Sequence, residues 1–118
     1  MNRKVRIVLI GNAEQEFKKL KELEQNIKED KEFHPEMQLL KSIRQKIEFI
    51  RSNPFYGCNI SKNKVPKEYH VHNLWRAELV QYWRMIYTIK GNEQEIICFI
   101  TDILDHNIYN EKFGYHKK

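Results

Sequence analysis

Near its start the chain carries a β-branched-rich, mostly apolar run at 5–10 (VRIVLI), which reads as a strand ended by Gly11. From there the period lengthens. Ala13, Phe17, Leu20, Leu23 and Ile27 recur every three or four residues, placing one apolar stripe along a helix whose other face is Glu and Lys. Asn12 is predicted as its N-cap, with Gln15 completing a capping-box-like pair, and Glu14 and Glu16 suit the helix dipole. After a polar break at 30–34, Pro35 is placed to be the first residue of a second helix. Its stripe is Met37, Leu40, Ile43, Ile47 and Ile50, and Asn53-Pro54 ends it. The two helices are expected to form an antiparallel hairpin.

Residues 55–70 show no period and contain Gly57, Pro66, Lys62, Lys64 and Lys67. An irregular segment of that length in a compact domain is more often functional or mobile than filler. Strand-like patterning returns in three runs, roughly 71–80, 83–90 and 95–103, with a tight-turn signal at Gly91-Asn92 between the last two. The run 96–100 (IICFI) is apolar on both faces, as a central strand would be. Asp105 can cap a short helix over 106–112 that Gly114 ends, leaving Tyr115-His116-Lys117-Lys118 as a basic aromatic tail. The order β-α-α-β-β-β predicts one α+β domain over residues 1–118, a helical hairpin packed on an antiparallel sheet.

Composition changes this picture only at the margins. The chain has 118 residues, enough for a core without disulfides, and 21 Lys and Arg against 16 Asp and Glu give a net charge of +5. Residues 12–36 are net acidic, whereas 1–11, 37–60 and 61–90 are each net basic. Clustered positive charge suits nucleic acid or an acidic protein partner. Cys58 and Cys98 lack metal or redox spacing and read as free thiols in a reducing compartment. No apolar run is long enough for a membrane span or a signal peptide, so a cytoplasmic protein is expected.

The chemistry concentrates in two strand-like runs, 74–79 (LWRAEL) and 83–89 (WRMIYTI). A core strand has no structural use for Arg76 and Arg84. Unpaired burial of either would cost several kcal/mol, so they face solvent, pair with neighbours, or meet an anion. Side-chain alternation puts Arg76, Glu78 and Val80 on one face. A three-residue loop at 81–83 would pair Val80 with Arg84 and bring both arginines to that face; a two-residue loop would turn Arg84 away. Gln81 and Tyr82 are not residues of the two-residue turn type, which favours the longer loop. His70 and His72 would share a strand face, but no third ligand lies near, and neither metal nor cofactor is expected.

The runs 73–79 (NLWRAEL), 83–89 and 100–115 (ITDILDHNIYNEKFGY), with the element order, resemble the RelE/ParE toxin superfamily of toxin–antitoxin systems. The resemblance covers nearly the whole chain. It implies a RelE-like fold and, in the RelE branch, a metal-independent endoribonuclease that cleaves mRNA in the ribosomal A site. In the ParE branch the same fold inhibits DNA gyrase. By position, Arg84 matches the arginine that contacts the scissile phosphate, and Arg76 a basic residue on the preceding strand. Glu78 stands where RelE has a lysine. His106 and Tyr109 fall where relatives place an Arg or His and a Tyr near the cleavage site. The resemblance also implies a cognate antitoxin, laid as helices or an added strand over the basic surface, with the ribosome and mRNA as targets.

Cleavage without a metal needs a base for the 2′-hydroxyl proton, cations for the phosphorane charge, and an acid for the departing 5′-oxygen. Glu78 or His106 can be the base, Arg76 and Arg84 the clamp, and His106 or Tyr109 the acid or a stacking platform. Lys62, Lys64, Lys67, Tyr115, Lys117 and Lys118 are candidate RNA contacts. Each has a plainer reading. Arg76 and Glu78 can be a surface ion pair, His106 a helix-start residue, Tyr109 and Phe113 packing of the last helix, and the lysines a solvated loop. Two rival functions follow: a ParE-like inhibitor without catalytic residues, and a degenerate RelE-fold binding protein, for which Glu78 is the main argument.

Overall fold

The computed structural model describes residues 3–114. Its elements in chain order are β1 (Lys4–Leu9), α1 (Gly11–Asn26), α2 (Pro35–Ser52), β2 (Cys58–Asn59), β3 (Trp75–Glu78), β4 (Arg84–Gly91), β5 (Glu95–Leu104) and α3 (His106–Phe113). The strands form one sheet in the order β1-β5-β4-β3-β2. Neighbours pair antiparallel except β1, which runs parallel to β5 from Lys4 opposite Glu95 to Leu9 opposite Ile100. The sheet is thus mostly antiparallel, as expected, with β1 the exception because the helical hairpin carries the chain across the sheet between β1 and the later strands. The α+β architecture with a short C-terminal helix is as expected.

The helical hairpin covers one face of the sheet. All five predicted stripe residues of α2 are buried, with Leu39 beside them. Leu39, Ile43, Ile47 and Ile50 pack with Ala13 of α1 against Ala77, Leu79, Met85, Tyr87, Cys98, Ile100 and Ile103. A bidentate bond from Arg44 to Glu24, at 2.9 and 3.0 Å, ties the two helices together. Asn12 is not the N-cap. Ile10 holds that position without a side-chain cap, and Asn12 Oδ1 instead accepts the Ile103 backbone N–H at 2.8 Å. Its amide serves a bulge in β5: Ile86 faces Asp102 while Tyr87 faces Ile100, leaving Thr101 as the extra residue. The bulge lets Ile100 and Ile103, three apart, both reach the helix-side core.

The other face carries a second, smaller core rather than an open surface. Ile86 and Leu104 from the sheet meet Tyr109 and Phe113 of α3 and Ile60 and Leu74 of the long connection. That connection departs from both expectations made for it. Residues 71–74 are not strand, so β3 is only four residues long, and single helical turns form at Lys62–Lys64 and Lys67–Tyr69. The two-residue β2 was not foreseen; it pairs Cys58 with Arg76 and Asn59 with Trp75. The connection approaches so closely that a Cβ on Gly57 would lie 2.7 Å from the Arg76 carbonyl oxygen and 2.9 Å from the Tyr87 hydroxyl.

Candidate active site

Hairpin register decides which side chains meet. Glu78 pairs with Arg84, Arg76 with Ile86, and Leu79 N–H donates to the Trp83 carbonyl at 2.9 Å. The loop is therefore three residues long, as expected, but spans 80–82 rather than 81–83. The shift by one puts Glu78, not Val80, opposite Arg84. Arg76, Glu78 and Arg84 thus share the face that carries the second core.

The three side chains form a compact ion cluster. Arg76 Nε lies 2.9 Å from Glu78 Oε1, and Arg84 Nε lies 2.9 Å from Glu78 Oε2. These are charge contacts, since neither Nε–H points along the line to its oxygen. Side-chain exposure falls from 52% at Glu78 to 29% at Arg76 and 19% at Arg84, so the carboxylate caps the two cations from the solvent side. Arg76 Nη1 donates to the Tyr109 hydroxyl at 3.0 Å, and the guanidinium carbons of Arg76 and Arg84 each lie 5.6 Å from the Tyr109 ring centre. Burial works against the charge on Arg76, but the Tyr109 hydrogen bond and the Glu78 carboxylate outweigh it and raise its pKa. One carboxylate between two guanidinium groups leaves a net positive site, and the Nη2 atoms of both arginines make no hydrogen bond to a described residue. Such a site can bind an anion with planar, paired donors.

The remaining predicted residues fall around this cluster in different ways. Tyr109 is 2% exposed, its ring stacked on Phe113 at 4.5 Å and overlain by the two guanidinium groups. It holds Arg76 and offers no face for a base to stack on. His106 is exposed at the start of α3, where Asp105 rather than His106 caps the helix by accepting the Ile108 N–H at 2.9 Å. Its ring meets that of Tyr82, a residue to which the sequence analysis gave no role, at 5.8 Å in an edge contact. Lys62, Lys64 and Lys67 are exposed on the long connection. Lys62 and Lys67 line a shallow groove there with His70 and His72, away from the arginine pair. His70 and His72 do not share a strand face, because β3 begins only at Trp75. Among the described residues no group of three His, Cys, Asp or Glu side chains is placed to hold a metal ion. Tyr115, Lys117 and Lys118 lie outside the described residues.

Asp102 is a neighbour that sequence reasoning passed over. It is 8% exposed, on the same sheet face as Arg84, because the Thr101 bulge turns it there. Burial first, and then the Asp102 carboxylate, push the Tyr69 phenol well above its ordinary range. No local signal marks the bulge, so alternation alone would misplace Asp102.

No protein-family model matches the chain, and no curated protein matches it. Among solved structures it is similar to a YoeB/ParE toxin from Agrobacterium tumefaciens, at a TM-score of 0.58 and 10% sequence identity. The match covers 86% of this chain and 98% of that one. No helix among the described residues is long and apolar enough to cross a membrane. The chain therefore shares the fold of a YoeB/ParE toxin over most of its length.

Proposed function

We propose that this protein is the toxin of a type II toxin–antitoxin system and a metal-independent endoribonuclease that cleaves mRNA in the ribosomal A site. The observation that carries the reading is the Arg76–Glu78–Arg84 cluster, two half-buried guanidinium groups on one face with a reachable carboxylate between them. Arg84 and Arg76 hold the non-bridging oxygens of the scissile phosphate and take up the charge of the phosphorane. Glu78 swings off the arginines as phosphate replaces it and accepts the 2′-hydroxyl proton. The 2′-oxygen attacks phosphorus, the bond to the 5′-oxygen breaks, and His106 protonates that oxygen. The products are a 2′,3′-cyclic phosphate and a free 5′-hydroxyl. Tyr109 positions Arg76 through its hydroxyl. A cognate antitoxin would cover this basic surface, and the protein would act as one domain in the cytoplasm.

The test is mRNA cleavage on purified, programmed ribosomes, mapped by primer extension, with wild type beside a folded Arg84→Ala variant. Discrete A-site cuts by wild type that vanish in the variant support the reading; no cutting by folded wild type overturns it. A second reading is favoured by one feature, the closure of the cluster on itself through Glu78. A ParE-like inhibitor of DNA gyrase needs no open phosphate site, and on that reading Arg84→Ala stays toxic and wild type blocks supercoiling.

A further inference from the structure

The tip of the β3–β4 hairpin is held in a conformation its residues disfavour. Gln81 has φ +60° and Tyr82 φ +64°, and both are in the left-handed region where L side chains crowd the following carbonyl. Asn or Gly would sit there at little cost; an aromatic does not. The strain is held from outside the loop. Gln81 Nε2 donates to the Pro35 carbonyl at 3.1 Å and to Gln38 Oε1 at 3.3 Å, fastening the tip to the start of α2, while Ser42 Oγ accepts the Val80 N–H at 3.2 Å.

What this strained backbone presents is the Tyr82 ring. It is 73% exposed, so burial does not explain the choice of an aromatic. Its described ring contact is a T-shaped one with His106, and the residue otherwise stands open to solvent. His106 opens the helix whose Tyr109 holds Arg76, and Tyr82 precedes Arg84 by two residues. The exposed aromatic and the arginine pair are thus joined both along the chain and through α3.

We propose that Tyr82 is a specificity-determining residue: its ring stacks on a nucleobase next to the scissile phosphate, with the His106 contact fixing the ring's orientation. The inference rests on the ribonuclease reading and assigns within it a base-binding element that the arginines, which grip phosphate, do not supply. A flat face suits any base, so the contact sets position along the strand and favours the more strongly stacking purines.

The experiment compares wild type, Tyr82→Gly, Tyr82→Phe and Tyr82→Trp in single-turnover cleavage of mRNA on programmed ribosomes. The four possible bases are placed in turn at each nucleotide flanking the cut, and thermal unfolding of each protein is measured in parallel. Glycine relieves the left-handed backbone, so Tyr82→Gly is expected to unfold about 2–5 °C higher than wild type. It is also expected to cleave roughly tenfold or more slowly and to lose its preference among flanking bases. Phe and Trp are expected to keep both rate and preference. If wild type cuts and Tyr82→Gly cuts at the same rate with the same preference, this inference alone is overturned. A Tyr82→Gly variant that loses stability and activity together makes Tyr82 a packing residue and overturns it too. No cutting by folded wild type removes the ribonuclease reading and this inference with it.

Discussion

A carboxylate between two guanidinium groups has two jobs that a single substitution can separate. Glu78 neutralises part of the charge on Arg76 and Arg84, and on the proposed mechanism it is also the base. Glu78→Gln keeps the shape and removes both the charge and the basicity. Its side chain is half exposed, and exposed ion pairs contribute only about 0–1 kcal/mol, so the unfolding temperature should barely move. Cleavage should fall by about a hundredfold or more, the usual contribution of a general base. Unchanged single-turnover cleavage in this variant would mean that Glu78 only screens the arginines. Tyr109→Phe asks the complementary question. The ring stack on Phe113 survives, the hydrogen bond to Arg76 does not, and a stability loss of about 1 kcal/mol in denaturant unfolding is expected. Much of this was legible from residue types alone, because arginines in apolar runs demand an explanation and side-chain period two puts Arg76 and Glu78 together. The burial of Tyr109 was legible only as one of two readings: its spacing of four from Phe113 allows packing, but an eight-residue helix with weak patterning does not decide which face turns inward.

At the scale of elements, the site depends on how the long connection seats β3. The α2 stripe and the presence of a turn after β4 could be read from the sequence because each rests on local periodicity or turn chemistry, although the turn lies at 92–94 and Gly91 is still paired in β4. The extent of β3 could not. Residues 71–74 look strand-like because Val71 and Leu74 are apolar, yet both serve the second core from a non-strand segment. Close packing rather than propensity fixes this region. Gly57 touches the Arg76 backbone, and the Tyr87 hydroxyl accepts the Gly57 N–H at 2.9 Å while donating to the Pro54 carbonyl at 2.8 Å. A methyl group at Gly57 would have to displace backbone rather than a flexible side-chain end. Gly57→Ala is therefore expected to cost about 1–3 kcal/mol. Because it pushes on the strand that carries Arg76, it should also reduce cleavage beyond what the lost stability explains. Amide exchange at residues 75–78 would report the shift directly; protection there equal to wild type would show that the connection can yield without moving β3.

Across the whole molecule, one sheet separates two cores with different duties: the larger holds the fold, and the smaller aims α3 at the arginine pair. Element order made this architecture legible, but the split of side chains between the cores depended on the Thr101 bulge, which no pattern announces. The larger core has a chemical signature that can be titrated. Burial raises the Cys98 thiol from 9.0 to about 11 and the Tyr87 phenol from 10.0 to about 12. The folded protein thus keeps protons that the unfolded chain releases earlier, so ionisation favours unfolding on the alkaline side. The stability linked to these groups is fully present below about pH 9, where both states hold the protons. It declines as pH rises through 9 to 11 for Cys98 and through 10 to 12 for Tyr87. Tyr69, raised by burial and by Asp102, extends the same trend from the smaller core. Unfolding temperature measured from pH 8 to 12 should be level at first and then fall steeply. Cys98→Ala should start lower, because it leaves a small cavity, yet fall less between pH 9 and 11. An equal slope in the variant would place the alkaline loss elsewhere, in the self-repulsion of surface charge rather than in the buried thiol.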